Sequence, residues 1–298
     1  MNSHNIAVII IFCNPSTDDI IHARNMAATW NGVIVDNSVT PFTTQEYIGN
    51  MRYMCNHTNV GIAEAQNIGI KTVLKDKETT HIVFLDQDSR VPNDYPETIT
   101  AEFMRIRKDE HRLVMLGPTV YNKTTQQEYK SAVHRYASRS NGFSPRQQII
   151  SSGSCTIASA FEQVGLMNKE LFVDYVDFEW CWRAIAKGFV CGITSASSIS
   201  HQVGKRELCI GKYKVIVSAP FRYFYQYRNY LWLCRLKYVP KHWKLSFGIK
   251  LFARLIYFPI IVKDGFKCWK YMTKGIISGL KPMKHSQEDN TNHLFFLS

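Results

Sequence analysis

The chain has 298 residues, 45% of them hydrophobic, and carries a formal charge of +12. It is long enough to bury one large core, or a core plus an appendage, and its apolar share is ordinary for a globular protein. Eight scattered cysteines with no C-x-x-C pair argue against a disulfide framework and for reduced thiols in a cytosolic chain, and no apolar run is long enough to span a bilayer.

The opening residues lack a basic stretch, so residues 6–13 (IAVIIIFC) read as a first buried strand rather than a signal peptide. Asn14-Pro15 ends it. A helix is expected over 19–30, a second short strand over 33–35 running into Asp36-Asn37-Ser38, and a third strand over 51–56. NVGIAEAQNIGI (59–70) opens on glycine and places small residues on one helix face. The strand 81–86 follows, then a helix over 95–110 and a strand over 113–117. Residues 121–150 are polar and irregular. A helix rich in aromatics lies within 162–190, and 189–200 returns to a strand before His201. Strands alternating with helices predict an α/β fold, a mostly parallel sheet with helices on both faces.

After residue 205 the texture changes. Residues 1–204 hold 18 Lys+Arg and 20 Asp+Glu, whereas residues 205–284 hold 18 Lys+Arg against Glu207 and Asp264 alone. The basic excess therefore sits in one stretch and points to an anionic partner for that stretch. Its apolar and aromatic positions recur at helical spacing with Lys and Arg between them, and Pro240 and Pro259 are expected to punctuate two or three helices. Three readings are open. One is an amphipathic surface on an anionic membrane. The second is a helical subdomain with an aromatic core, and the third is a nucleic-acid-binding face.

Four stretches carry chemistry. In HIVFLDQDS (81–89) an apolar run stops at Asp86 and Asp88. Side chains two apart on a strand share a side, so both can aim the same way at the strand's carboxyl end. Paired hard oxygens suit Mg²⁺ or Mn²⁺ bridging to phosphates, although a strand ending in an acidic turn has the same pattern. In FVDYVDFEWCWR (172–183) three carboxylates lie among bulky apolar neighbours. Desolvation there would raise a pKa toward that of a general base. Helical spacing would put Asp174 and Asp177 on one face and pair Glu179 with Arg183. A solvated helix start is the plainer alternative. Ser151-Ser152-Gly153-Ser154 offers hydroxyl and N–H groups to a sugar or phosphate, or forms a simple turn. His201 gains meaning only near Asp88.

Taken in order, VDNS (35–38), NVGIAEAQNIGI (59–70), FLDQDS (84–89), SSGS (151–154) and VDYVDFEWCWRAIAKG (173–188) resemble the family 2 glycosyltransferases, and within them the bacterial rhamnosyltransferase branch. The resemblance covers about residues 5–205 and implies a GT-A nucleotide-sugar-binding domain over 1–205. Residues 206–298 would form a basic, aromatic-rich helical region that associates with membrane. Its Arg222-Tyr223-Phe224-Tyr225 and Arg228-Asn229 are also similar to that branch.

The resemblance further implies an inverting, metal-dependent transfer of rhamnose from dTDP-rhamnose to a glycan on a polyprenyl diphosphate, in surface polysaccharide synthesis at the cytoplasmic face of the bacterial inner membrane. Asp177 would be the catalytic base. Asn14, Asp36, Asn67, Asp86 and Gln87 would meet the nucleotide sugar. Asp88 and His201 would hold Mg²⁺ or Mn²⁺. Ser152, Gly153, Asp174, Glu179 and Trp180 would face the acceptor. Val176 stands where the wider family has Glu, which leaves Asp174 as a rival base. A UDP-sugar donor, a nucleotidyltransferase and a non-catalytic nucleic-acid binder are the competing readings, and nucleic acid is not the expected partner.

Overall fold

The computed structural model describes residues 5–122, 141–201, 206–210 and 213–283. The chain divides into two compact units. The first holds residues up to 169 together with 176–217, and the second holds 170–175 together with the residues from 218 onward.

In the first unit, β1 (Ile6–Phe12) is a run of apolar, largely β-branched residues, all of them buried. Such a run suits a strand covered on both faces. Helix α1 (Thr17–Ala27) starts at a capping box, in which Ser16 and Asp19 satisfy each other's free main-chain N–H groups. The chain continues through β2 (Gly32–Asp36), β3 (Tyr47–Ile48), β4 (Met51–Cys55), α2 (Ile62–Val73) and β5 (His81–Asp86). Next come α3 (Tyr95–Arg107), β6 (Leu113–Asn122), β7 (Phe143–Pro145), β8 (Cys155–Ile157), α4 (Ala160–Val164), α5 (Val176–Ala186) and β9 (Val190–His201). The hairpin β10 (Arg206–Ile210) and β11 (Tyr213–Val217) closes the unit.

Nine strands form one sheet in the order β3-β4-β2-β1-β5-β8-β6-β9-β7. Its β4-β2-β1-β5 portion is parallel. From β1 the chain runs outward through β2 and β4, then returns through α2 to place β5 on the other side of β1. That reversal is a topological switch point, where open α/β sheets bind ligands beyond the strand carboxyl ends. Short β7 and β8, which sequence periodicity does not reveal, add antiparallel pairs beyond β5.

The second unit contains α6 (Pro220–Arg235), α7 (Lys241–Ile261) and α8 (Gly265–Leu280). Pro240 precedes α7 as its cap, as expected, but Pro259 lies inside α7 and does not break it. The break falls at Asp264, whose backbone is left-handed at φ 61°. Helices α6 and α8 approach closely because Gly275 has no side chain: a Cβ there would stand 2.4 Å from the Phe224 carbonyl oxygen. No helix among the described residues is long and apolar enough to cross a membrane.

Candidate active site

The register places the functional candidates along one edge. Phe12 pairs with Asp36 and Ile11 pairs with Asp86, so the loops after β1, β2 and β5 leave the sheet side by side. Side chains then stitch these loops together. The Cys13 N–H donates to Gln87 Oε1 at 2.7 Å, and the Asn14 N–H donates to Ser38 Oγ at 2.7 Å. Asn14 sits in the left-handed region at φ 50°, a conformation Asn tolerates. Asp36 is fully buried. One of its oxygens accepts the Ser38 N–H at 2.8 Å and the Ser38 hydroxyl, and the other accepts the Tyr53 hydroxyl at 2.7 Å. Burial, then the hydrogen bond to Asp36 and the Asp36 charge, push the Tyr53 phenol well above its ordinary pKa.

Strand alternation does not present the acidic pair. β5 ends at Asp86, and Gln87-Asp88 lie in a turn. The turn closes where the Ser89 N–H donates to the Asp86 carbonyl at 3.0 Å and the Asp86 N–H donates to Ser89 Oγ at 3.1 Å. Ser89 Oγ also meets Ser152 Oγ at 2.7 Å, which ties the turn to the SSGS segment. Asp88 is left exposed at the tip, and Asp86 is half-buried below it.

Asp177 is half-buried in the first turn of α5. Its two oxygens accept main-chain N–H groups, from Phe178 at 2.9 Å and from Ser151 at 3.2 Å. Burial raises its carboxyl to about 6, the two N–H groups oppose that rise, and the Asp86 charge adds to it. A carboxylate held this way takes up a proton near neutral pH, as a general base must. Ser151, bonded to Asp177, and its neighbour Ser152, bonded to Ser89, link α5 to the β5 turn.

No family model matches the chain. A curated protein, the dTDP-rhamnosyl transferase RfbF of Shigella flexneri, is 30% identical over 293 residues, covering 94% of this chain and 95% of that protein. The chain belongs to the rhamnosyltransferase branch of the family 2 glycosyltransferases. Solved structures share its fold, among them two of TarS. The S. aureus TarS 1–349 structure in complex with UDP-GlcNAc aligns over 93% of this chain and 82% of that one, with a TM-score of 0.57 and 14% identity. The TarS 1–349 complex with UDP aligns over 87% and 75%, with a TM-score of 0.52 and 13% identity. The sheet with its flanking helices is thus the GT-A fold, and the chain is a nucleotide-sugar glycosyltransferase.

For a glycosyltransferase of this branch, several expected contacts turn out to be internal. Asn67 is buried, and its amide pairs both ways with the Met167 main chain, at 2.8 and 2.9 Å. Glu179 is 1% exposed and forms an ion pair with Arg183 at 2.9 Å, which realises the i,i+4 expectation. Arg183 also donates to the Val164 and Leu166 carbonyls. Trp180 is fully buried and donates its indole N–H to the Gly165 carbonyl at 2.8 Å. Glu179 and Trp180 therefore fix α5 in place and do not present themselves to an acceptor. Ser152 is buried on Ser89. Gly153 is left-handed at φ 78° and packs beneath Tyr95, where a Cβ would stand 2.8 Å from the phenol oxygen. Both shape the site from below.

Asp174 and Asp177 do not share a helix face. α5 starts only at Val176, and Asp174 precedes it in a left-handed conformation at φ 64°. Asp174 belongs to the second unit, where both its oxygens accept from the Arg222 guanidinium. The side chain of His201 lies outside the described residues. Sequence reasoning missed Gln66 and the Ser151 main chain. Gln66 is 2% exposed and donates to Ser151 Oγ at 3.0 Å, while its own Oε1 is buried without a hydrogen-bond partner. A buried Gln on a small-residue helix face carries no marker of that role.

The donor set suits a divalent cation. Asp86 and Asp88 supply hard carboxylate oxygens at one strand end. No group of three or more His, Cys, Asp or Glu could hold a metal among the described residues. A magnesium-like ion usually takes one or two carboxylates and completes its shell with water and substrate phosphate, so two acids beside a diphosphate suffice.

Proposed function

We propose that the chain transfers rhamnose from dTDP-rhamnose to a glycan carried on a polyprenyl diphosphate, with inversion at the anomeric carbon, at the cytoplasmic face of a bacterial inner membrane. The observation that carries this is Asp177. It is a half-buried carboxylate, raised to about 6, oriented by two N–H groups and coupled to Asp86 at the switch point. The overall likeness to the dTDP-rhamnosyl transferase supports the donor.

The nucleotide lies across the carboxyl ends of β1, β2 and β5, bordered by Asn14, the Asp36–Ser38 turn and Asp86-Gln87. Asp177 accepts the proton of the acceptor hydroxyl as that oxygen bonds to the anomeric carbon. The bond from that carbon to the diphosphate oxygen breaks, and the nucleoside diphosphate leaves with the electron pair. Asp88, supported by Asp86, would hold Mg²⁺ or Mn²⁺. That ion supplies positive charge against the negative charge gathering on the leaving diphosphate.

The test is nucleoside-diphosphate release from a panel of nucleotide sugars, with lipid-extract acceptors and Mg²⁺ or Mn²⁺. Release from dTDP-rhamnose that vanishes in Asp177→Asn supports the reading. Release from a UDP-sugar alone overturns the donor and leaves the base assignment standing.

A further inference from the structure

Helix α7 buries one side and exposes a continuous apolar one. Trp243, Leu251 and Phe258 face inward. On the other side Leu245, Ile249, Phe252, Ile256 and Ile260 are 68%, 62%, 67%, 56% and 81% exposed. They recur every three or four residues, so they form one stripe about 22 Å long at 1.5 Å per residue. Scattered exposed apolar residues are ordinary, but an aligned row of five large ones is not.

The charge of this segment indicates what covers the stripe. Lys241 and Lys250 on α7 are exposed, and so are Lys263, Lys267, Lys270 and Lys274 at and along α8. Residues 241–283 carry a single acid, Asp264. Two copies meeting through this face would bring like charges together, which is costly. An anionic bilayer surface suits both features: acyl chains accept the apolar row, and lipid headgroups accept the lysines, whose long stems let the ammonium reach outward.

We infer that the outer face of α7 is the membrane-docking surface of this enzyme, lying in the interface of an anionic bilayer with the α8 lysines on the headgroups. This deepens the proposed reading by naming the surface that meets the membrane, and it rests on that reading only for why an acceptor would be found there.

The full chain is tested by flotation with vesicles of phosphatidylglycerol and phosphatidylethanolamine against vesicles of phosphatidylcholine. Wild type is expected to float with the anionic vesicles and to be released by salt. The triple variant Ile249→Gln, Phe252→Gln, Ile256→Gln alters exposed positions only, and is expected to keep its circular dichroism and melting temperature. Its vesicle binding should fall at least about tenfold. Lys267→Glu with Lys270→Glu should abolish the preference for anionic lipid. Undiminished flotation of the triple variant overturns the inference. So does a wild type that ignores vesicles but self-associates through α7, shown by sedimentation velocity and lost in the triple variant. Donor turnover in solution is read separately: flotation through α7 without turnover of any nucleotide sugar keeps this inference and rejects the functional proposal, and the converse rejects only this one.

Discussion

Asp174 and Asp177 stand three residues apart in one acidic motif, yet their surroundings are opposite. Asp174 sits in a short segment, 170–175, whose backbone is left-handed at Phe172, Asp174 and Tyr175. Each such residue costs on the order of 1–3 kcal/mol and persists only where neighbours impose it. Here Asn229 shares its amide hydrogens among the Leu171, Val173 and Asp174 carbonyls, and Arg222 grips both Asp174 oxygens. Among the described residues no ion pair is made by Asp177. Among the described residues its oxygens meet main-chain N–H groups only, and the Asp86 charge repels it. Both Asp174 oxygens are already committed to a guanidinium, whereas a carboxylate that is desolvated and repelled, as Asp177 is, makes a good proton acceptor. The comparison supports a structural part for the first acid and the proposed base role for the second.

The largest expected effect tests that assignment. Asp177→Asn keeps the size of the side chain and removes the base. Turnover should fall about a thousandfold, while donor binding, read as protection against thermal unfolding, should persist. Asp174→Asn should leave turnover within about tenfold of wild type. If the two variants trade places, the assignment is reversed.

Breaking the clamp is the next largest. Arg222→Leu strands the Asp174 carboxylate without its partner, and the unfolding free energy should drop by about 2–3 kcal/mol, less than for a fully buried pair because Arg222 is 37% exposed. The double variant Arg222→Leu, Asp174→Asn should recover part of that loss. A urea titration that shows no recovery would mean the two side chains act independently.

The pH dependence separates the two acids more gently. Since Asp177 must be ionised to accept a proton, kcat/KM should fall on the acid side with an apparent pKa near 6. Its folded pKa lies above the unfolded value, so the extra bound proton stabilises the fold fully at low pH. That stabilisation is lost as pH rises through about 6. Asn has no such proton to lose. Relative to wild type, Asp177→Asn should therefore be about 1–2 kcal/mol more stable at pH 8 than at pH 4. Thermal melts across that range check the sign.

Much of this was legible before the fold was known. The apolar run at 6–12, the small-residue helix at 62–73 and the strand ending at Asp86 carry strong local patterns, and they generate the parallel half of the sheet. The acids were visible because carboxylates among bulky apolar residues are unusual. Their division was not, because it depends on Arg222, 48 residues beyond Asp174, and on where α5 begins. For Glu179 and Trp180 the acceptor role comes from the family resemblance, which carries motif positions and not packing. Only three-dimensional packing shows that Arg183 and the Gly165 carbonyl consume them. Pro259 misled for a similar reason: it sits in the last turn of α7, where one lost hydrogen bond is tolerated and the helix ends two residues later.

The smallest expected effect concerns what holds Asp177 in place. Gln66 donates to Ser151 Oγ, and the Ser151 N–H donates to Asp177 Oδ2, so α2 reaches the base through one intervening residue. Gln66→Leu removes the first link and also removes a buried carbonyl oxygen that has no partner, so the two effects on stability oppose each other. Melting temperature should hardly move. What should change is the base: with Ser151 less firmly held, its N–H stabilises the carboxylate less. The acid limb of kcat/KM should then shift upward by a few tenths of a pH unit, and kcat should fall about threefold. Gln66→Glu is a stronger control in the same direction, because a second buried negative charge near Asp177 should raise the limb further and, unlike Leu, lower stability as well. If Gln66→Leu lowers kcat and leaves the pH profile in place, Gln66 acts on packing alone, and the hold on Asp177 rests with the Ser151 backbone.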